Sequence, residues 1–147
     1  MSEALEPRIG RLLSQSYGVW QRLTYADLAD RGFPEVRPSH SPVFRHIDEG
    51  GTRIVDLAER AGITKQSMTY LVRQLEGKGL AEIREDPADG RARLVALTGR
   101  GEAASQALVE SSLALETRFA SQLGNAKLES LRTVLAELQG WNFGEED

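Results

Sequence analysis

Eleven consecutive residues, Thr64 to Gln74, contain no Asp or Glu and carry the chain's most distinctive chemistry. With the apolar Met68, Leu71 and Val72 set aside as a buried face, Lys65, Gln66, Ser67, Thr69, Tyr70, Arg73 and Gln74 remain on the other side of a helix. A solvated helix face ordinarily mixes Glu with Lys. A face that must approach phosphates excludes carboxylates, because the two charges repel. In that setting Gln66 pairs bidentately with adenine, Arg73 takes guanine or a phosphate, and Ser67 and Thr69 reach base edges or phosphates. Thr64, Lys65 and Tyr70 complete this candidate DNA surface. A second basic element follows at Asp89-Gly90-Arg91, which places Arg91 at the tip of a turn and Arg93 just behind it, suited to a minor groove or the backbone. Asp89 would be repelled by DNA, so its expected role is to hold an arginine side chain in place: Arg91 itself, Arg93 or Arg84.

Other chemistries lack their residues. There is no Cys, which removes thiol nucleophiles, zinc–thiolate sites and thiol redox sensing. The two histidines, His40 and His46, are six apart and do not share a helical face, and the residue four after His40 is Phe44 rather than a ligand. No glycine-rich phosphate loop follows a strand, and no pair of acids flanks a plausible cleft. The sequence therefore predicts no enzyme, no metal site and no cofactor. No apolar run approaches the ~18 residues of a membrane span, and the acidic stretch Met1 to Pro7 lacks the apolar core of a secretory signal. A cytoplasmic protein without membrane contact is expected. The net charge of −4 does not oppose a polyanionic partner, because residues 64–100 hold 7 Lys+Arg against 5 Asp+Glu and the acid lies toward the two ends.

These residues need elements to hold them. The chain has 147 residues, 40% hydrophobic and 27% charged, enough for one ordinary core. Ile9, Leu12, Leu13, Tyr17, Trp20 and Leu28 predict a first helix over about 8–31. A second is expected to run to about Glu49, stopped by Gly50-Gly51, with its start open between Pro38 and Ser41-Pro42. A third, capped by Thr52, buries Ile54, Leu57, Ala58 and Ala61 and closes at Gly62. The fourth starts at the Thr64 cap, buries Met68, Leu71, Val72 and Leu75, and ends near Gly77-Lys78-Gly79. Leu80–Glu85 and Arg93–Leu97 then read as a β-hairpin across the turn signals of Asp86-Pro87-Ala88-Asp89-Gly90. Beyond Thr98 the chain is helical, broken at Gly124-Asn125, and ends in a seam of Leu128, Leu131, Leu135 and Leu138. The fold class is mainly α with a small β-hairpin wing: a winged helix-turn-helix domain at 36–98 plus a helical dimerisation region at 1–35 and 99–147. Winged helices also dock other proteins, but such modules have less reason to keep an acid-free helix and an arginine-tipped wing together.

The segment Pro38 to Gly101 resembles the MarR family of bacterial transcription regulators. The resemblance lies in Asp56-Leu57-Ala58, in Leu75-Glu76-Gly77-Lys78-Gly79-Leu80, and above all in Asp89-Gly90-Arg91 followed by Leu94-Val95-Ala96-Leu97-Thr98. It implies a homodimer whose first and last two helices interlock, bound to a pseudo-palindromic double-stranded DNA operator, usually as a repressor relieved by a ligand. Gln66, Ser67, Thr69 and Arg73 match the family's recognition-helix contacts by position, and Arg91 its wing arginine. Related regulators commonly bind small phenolic or aromatic acids, for which Tyr17, Trp20, His40 and Phe44 are the candidate lining; the same residues also suit a plain core. One departure is His40-Ser41-Pro42, where the family often has Gln followed by an aromatic residue.

Overall fold

The computed structural model describes residues 6–141, so the stretch Met1–Leu5 weighed above as a signal lies outside the described residues. The first helix, α1, is Ile9–Asp30. A single 3-10 turn at Pro38–His40 leads straight into α2, Ser41–His46, so Pro38 and Pro42 each start a helical piece. Proline suits both places, since the first turn of a helix has no partner for its N–H groups. Then come β1 (Thr52–Arg53), α3 (Ile54–Ala61), α4 (Lys65–Gly77), β2 (Ala81–Asp86), β3 (Asp89–Leu97), α5 (Gly99–Leu123) and α6 (Asn125–Gln139).

Two compact units divide the chain, one up to Ser111 and one from Ser112 onward, with the boundary inside α5. In the first unit, Leu28, Val36, Val43, Leu57, Met68, Val72, Leu75, Leu80 and Val95 form one buried cluster. Every helix up to α4 and the sheet contribute to it, which fixes the orientation of α4 from its inner side. In the second unit, Arg132 Nη2 meets Glu116 Oε2 at 2.8 Å and joins α6 to the last part of α5.

Four local expectations are corrected. The second helix ends at His46 rather than near Glu49: Ile47 is extended, Asp48 N–H donates to Thr52 Oγ1 at 2.8 Å, and Arg60 takes the His46 carbonyl at 2.8 Å. Thr52 consequently does not cap the third helix. Its hydroxyl serves Asp48, its backbone pairs with Val95 as part of a strand, and the cap position falls to Arg53. That strand makes a three-stranded antiparallel sheet, ordered β1-β3-β2, where the sequence suggested a hairpin alone. The hairpin itself is longer and its turn tighter. Asp86 faces Asp89 across only Pro87 and Ala88, because Asp86 Oδ1 accepts the Ala88 N–H at 2.9 Å and closes the turn locally.

Candidate nucleic-acid interface

The helix-turn-helix is built from short-range signals. Gly62 takes φ +66, a left-handed conformation that ends α3 and turns the chain within two residues. Thr64 is the N-cap of α4, its Oγ1 accepting from Ser67 N–H at 3.0 Å. Met68, Val72 and Leu75 are fully buried, which turns the opposite face outward. Lys65, Gln66, Thr69, Tyr70 and Arg73 line an open groove of ≈ 610 Å³ along that face.

The predicted contact residues separate by what their side chains already do. Thr64 donates to Ser67 Oγ at 2.9 Å besides capping, and Thr69 gives its proton to the Lys65 carbonyl at 2.8 Å. Those hydroxyls shape the helix start, although Ser67 keeps its own proton. Tyr70 accepts from Gln74 Nε2 at 2.8 Å. Among the described residues, Lys65, Gln66 and Arg73 make no side-chain hydrogen bond or ion pair, so all their donors are available outward. Arg91 and Arg93 on β3 are likewise exposed and unpaired among the described residues.

Asp89 does not hold an arginine side chain. Its Oδ1 accepts the backbone N–H of Arg91 at 3.1 Å, a two-residue turn bond that shapes the wing tip. Of the arginines proposed for it, Arg84 is held by Glu82 on its own strand, with Nε 2.6 Å from Oε1. Across strands it is Asp86 that clamps an arginine, its Oδ2 taking Nε and Nη2 of Arg53 at 3.0 and 2.7 Å. The Ala88 N–H and Arg53 together hold its carboxyl below the ordinary carboxylate range. This pair fastens the turn end of the hairpin to the strand before α3. Sequence reasoning missed it because Asp86 and Arg53 lie 33 residues apart and the turn signal around Asp86 says nothing of a distant partner.

The candidate ligand residues differ in exposure and in what their polar atoms already do. Tyr17 is exposed, and its hydroxyl accepts from Gln21 at 3.0 Å and from Arg45, whose guanidinium lies 5.7 Å from the ring centre. Trp20 is half-buried, and Phe44 packs on the edge of the core. His40 is buried with both ring nitrogens engaged: Nδ1 by Arg37 N–H at 3.1 Å, Nε2 by Gln74 Oε1 at 3.1 Å. It offers no nitrogen to a ligand in this arrangement.

Burial pushes the His40 pKa below its ordinary 6.5; the bond to Gln74 opposes this, and the facing cations Lys78 and Arg37 add to it. Between the depressed folded value and 6.5 the unfolded chain binds a proton that the native one refuses. Stability from this group is therefore complete above 6.5 and is lost as pH falls through the folded value. Thermal melts from pH 7.5 to 5 should show a decline that is shallower in His40→Gln. An identical slope in both proteins would exclude His40 as its source.

Residues 36–92, from the end of the α1 loop through the wing tip, match the family model described as MarR family. The transcriptional regulator HosA of Escherichia coli O111:H- is 31% identical over 106 residues, covering 71% of this chain and 78% of that protein. CouR from Rhodococcus jostii RHA1, in a crystal structure with p-coumaroyl-CoA, superposes with a TM-score of 0.70 at 25% identity, over 98% of this chain and 100% of CouR. A structure of the repressor CouR on a 23-mer DNA duplex has the same fold, with a TM-score of 0.75 at 22% identity over 93% of this chain and 96% of that one. Among the described residues no helix is long and apolar enough to cross a membrane. With a winged helix-turn-helix whose outward helix carries cations and amides but no carboxylate until Glu76, and with these relatives, the chain belongs to the MarR family of DNA-binding transcription regulators.

Proposed function

We propose that the chain is a homodimeric repressor of a pseudo-palindromic operator, released from DNA by a small aromatic acid or its thioester. The observation that carries the DNA reading is the outward face of α4, where Lys65, Gln66 and Arg73 keep every donor unengaged, together with the exposed Arg91 and Arg93 of the wing. In this reading residues 36–98 hold the DNA, and the helices of 1–35 and 99–147 hold the partner. Two copies present two recognition helices, which need a separation of about one turn of DNA, roughly 34–36 Å, to enter successive major grooves. The aromatic ligand is supported by the bound p-coumaroyl-CoA of CouR and by the Tyr17–Arg45 pair, which sets a cation beside an aromatic ring as an aromatic acid requires.

Reading and anchoring are separable by experiment. Gln66, near the start of α4, is placed to read a base edge, and Gln66→Ala should cost about 1–3 kcal/mol per half-site, mainly at one base position of each. Arg91 lies on the wing, where it meets phosphates or a minor groove, so Arg91→Ala should weaken binding to all sequences. Removing one phosphate-neutralising charge from each protomer should flatten the log K against log salt slope by about 1.8, twice the usual ~0.9. Random-site selection and salt titration of each variant measure both. If Gln66→Ala leaves the selected motif intact, or Arg91→Ala leaves affinity and slope unchanged, these roles are wrong.

A further inference from the structure

A line of hydrogen bonds runs from the turn ahead of α2, through the buried His40, to the exposed face of α4. Arg37 N–H donates to His40 Nδ1 at 3.1 Å, His40 Nε2 lies 3.1 Å from Gln74 Oε1, and Gln74 Nε2 donates to the Tyr70 hydroxyl at 2.8 Å. His40 at one end is 1% exposed; Tyr70 at the other is 63% exposed, in the groove beside Gln66 and Arg73.

The direction of every bond in this line is forced. A backbone N–H can only donate, so Nδ1 must present its lone pair, and the neutral imidazole carries its proton on Nε2. That proton requires an acceptor, which turns Oε1 of Gln74 toward His40 and leaves the amide NH₂ for Tyr70. The phenol oxygen, already accepting, has its own proton left to give, and the chain of bonds directs it away from Gln74 into the groove.

We propose that His40 and Gln74 are positioning residues that make Tyr70 an outward hydrogen-bond donor on the DNA-reading face. Tyr70 then selects acceptors, either a phosphate oxygen or a base acceptor such as guanine O6 or thymine O4, and disfavours amino groups such as cytosine N4. This deepens the assignment of α4 as recognition helix and rests on it.

The test uses the full-length protein and the duplex it selects from a random pool. Tyr70→Phe should weaken binding about tenfold, the loss of one hydrogen bond per half-site, with no change in salt slope because no charge is removed. A new base tolerance at one position indicates a base acceptor, and a uniform loss indicates a phosphate; both support the donor role. Gln74→Met should cost about threefold with Tyr70 present and nothing further in the Tyr70→Phe background. Equal losses in the two backgrounds, or none, would overturn the proposal. Gln74→Glu gives a second route that keeps an acceptor for His40. Its carboxylate accepts from Tyr70 as well, turning the phenol proton inward, so Tyr70→Phe should then cost nothing. A persisting tenfold cost in that background overturns the positioning role. Nitrogen chemical shifts should place the His40 proton on Nε2; a proton on Nδ1 alone refutes the bond directions. If Gln66→Ala and Arg73→Ala also leave binding unchanged, the assignment of α4 as reading surface fails and takes this proposal with it. If those two weaken binding while Gln74 and Tyr70 remain uncoupled, the positioning role alone fails.

Discussion

Replacing Leu131 and Leu135 together by Asp should split the proposed homodimer into monomers and lower operator affinity by about a hundredfold or more. Leu131, Leu135 and Leu138 are 38%, 36% and 39% exposed on α6, a seam of large apolar side chains at spacings of four and three. On α1, Ile9, Leu12 and Leu13 are exposed in the same way. A second copy that covers such side chains gains roughly 1.5–3 kcal/mol for each one fully buried, whereas an Asp in the seam would bring an unpaired charge out of water. Linking two half-site contacts makes the second intramolecular, which is worth 10²–10⁴ in overall affinity without any new contact. The monomer should also show about half the salt slope, since it meets half the phosphates. Sedimentation velocity and a salt-titrated binding curve read both effects. A variant that stays dimeric would remove α6 from the dimer assignment, and a monomer that binds the operator as tightly as the parent would overturn the coupling of two half-sites.

Gly101→Ala should destabilise the fold by about 3 kcal/mol or more, the upper end of what inserting a methyl group costs. A Cβ on Gly101 would stand 1.9 Å from the Leu80 carbonyl oxygen and 3.1 Å from Leu97 Cβ. The first contact is with backbone, so no rotamer change relieves it and one of the two segments must move. Both are tightly held. Thr98 N–H donates to that same Leu80 carbonyl at 3.1 Å, Thr98 Oγ1 donates to the Gly79 carbonyl at 2.6 Å, and Gly101 N–H returns to Thr98 Oγ1 at 3.1 Å. This clasp sets the exit of α4 against the start of α5. Gly18→Ala is the matched control. Gly18 lies inside α1 with nothing within 4 Å of its added Cβ, so this change should stabilise by roughly 0.5–1 kcal/mol through helix propensity alone. Melting temperatures should therefore move in opposite directions, with Gly101→Ala down by roughly 10 °C. A Gly101→Ala protein that melts with the parent would show that the clasp gives way at little cost.

The parts of the candidate site that were legible beforehand share one property: the residues that define them are neighbours in the chain. Gly62 ends α3, Thr64 caps α4 through Ser67 three residues on, and Met68, Val72 and Leu75 recur at helical spacing. Each interaction closes within about one helical turn, so residue type and spacing suffice to announce it. The acid-free outward face of α4 follows from the same arithmetic, because fixing the buried side fixes the other. Thr52 departs from its local signal for the opposite reason. A threonine just ahead of an apolar run has the local mark of a cap, but its pairing with Val95 lies 43 positions away, and the sheet it joins overrides the local preference.

What the sequence alone determined is thus the main helices and the hairpin, the turn that joins α3 to α4, and the polarity of the outward face of α4. The tertiary structure decided which groups meet across long separations: that Asp86 rather than Asp89 clamps an arginine, that His40 engages Gln74 from 34 residues away, and that α5 passes so close to the Leu80 carbonyl that position 101 admits no side chain. Local periodicity carries no information on such pairs. Two carboxylates three residues apart in one turn look alike in sequence, and only the path of the strand beside them places Arg53 within reach of the first.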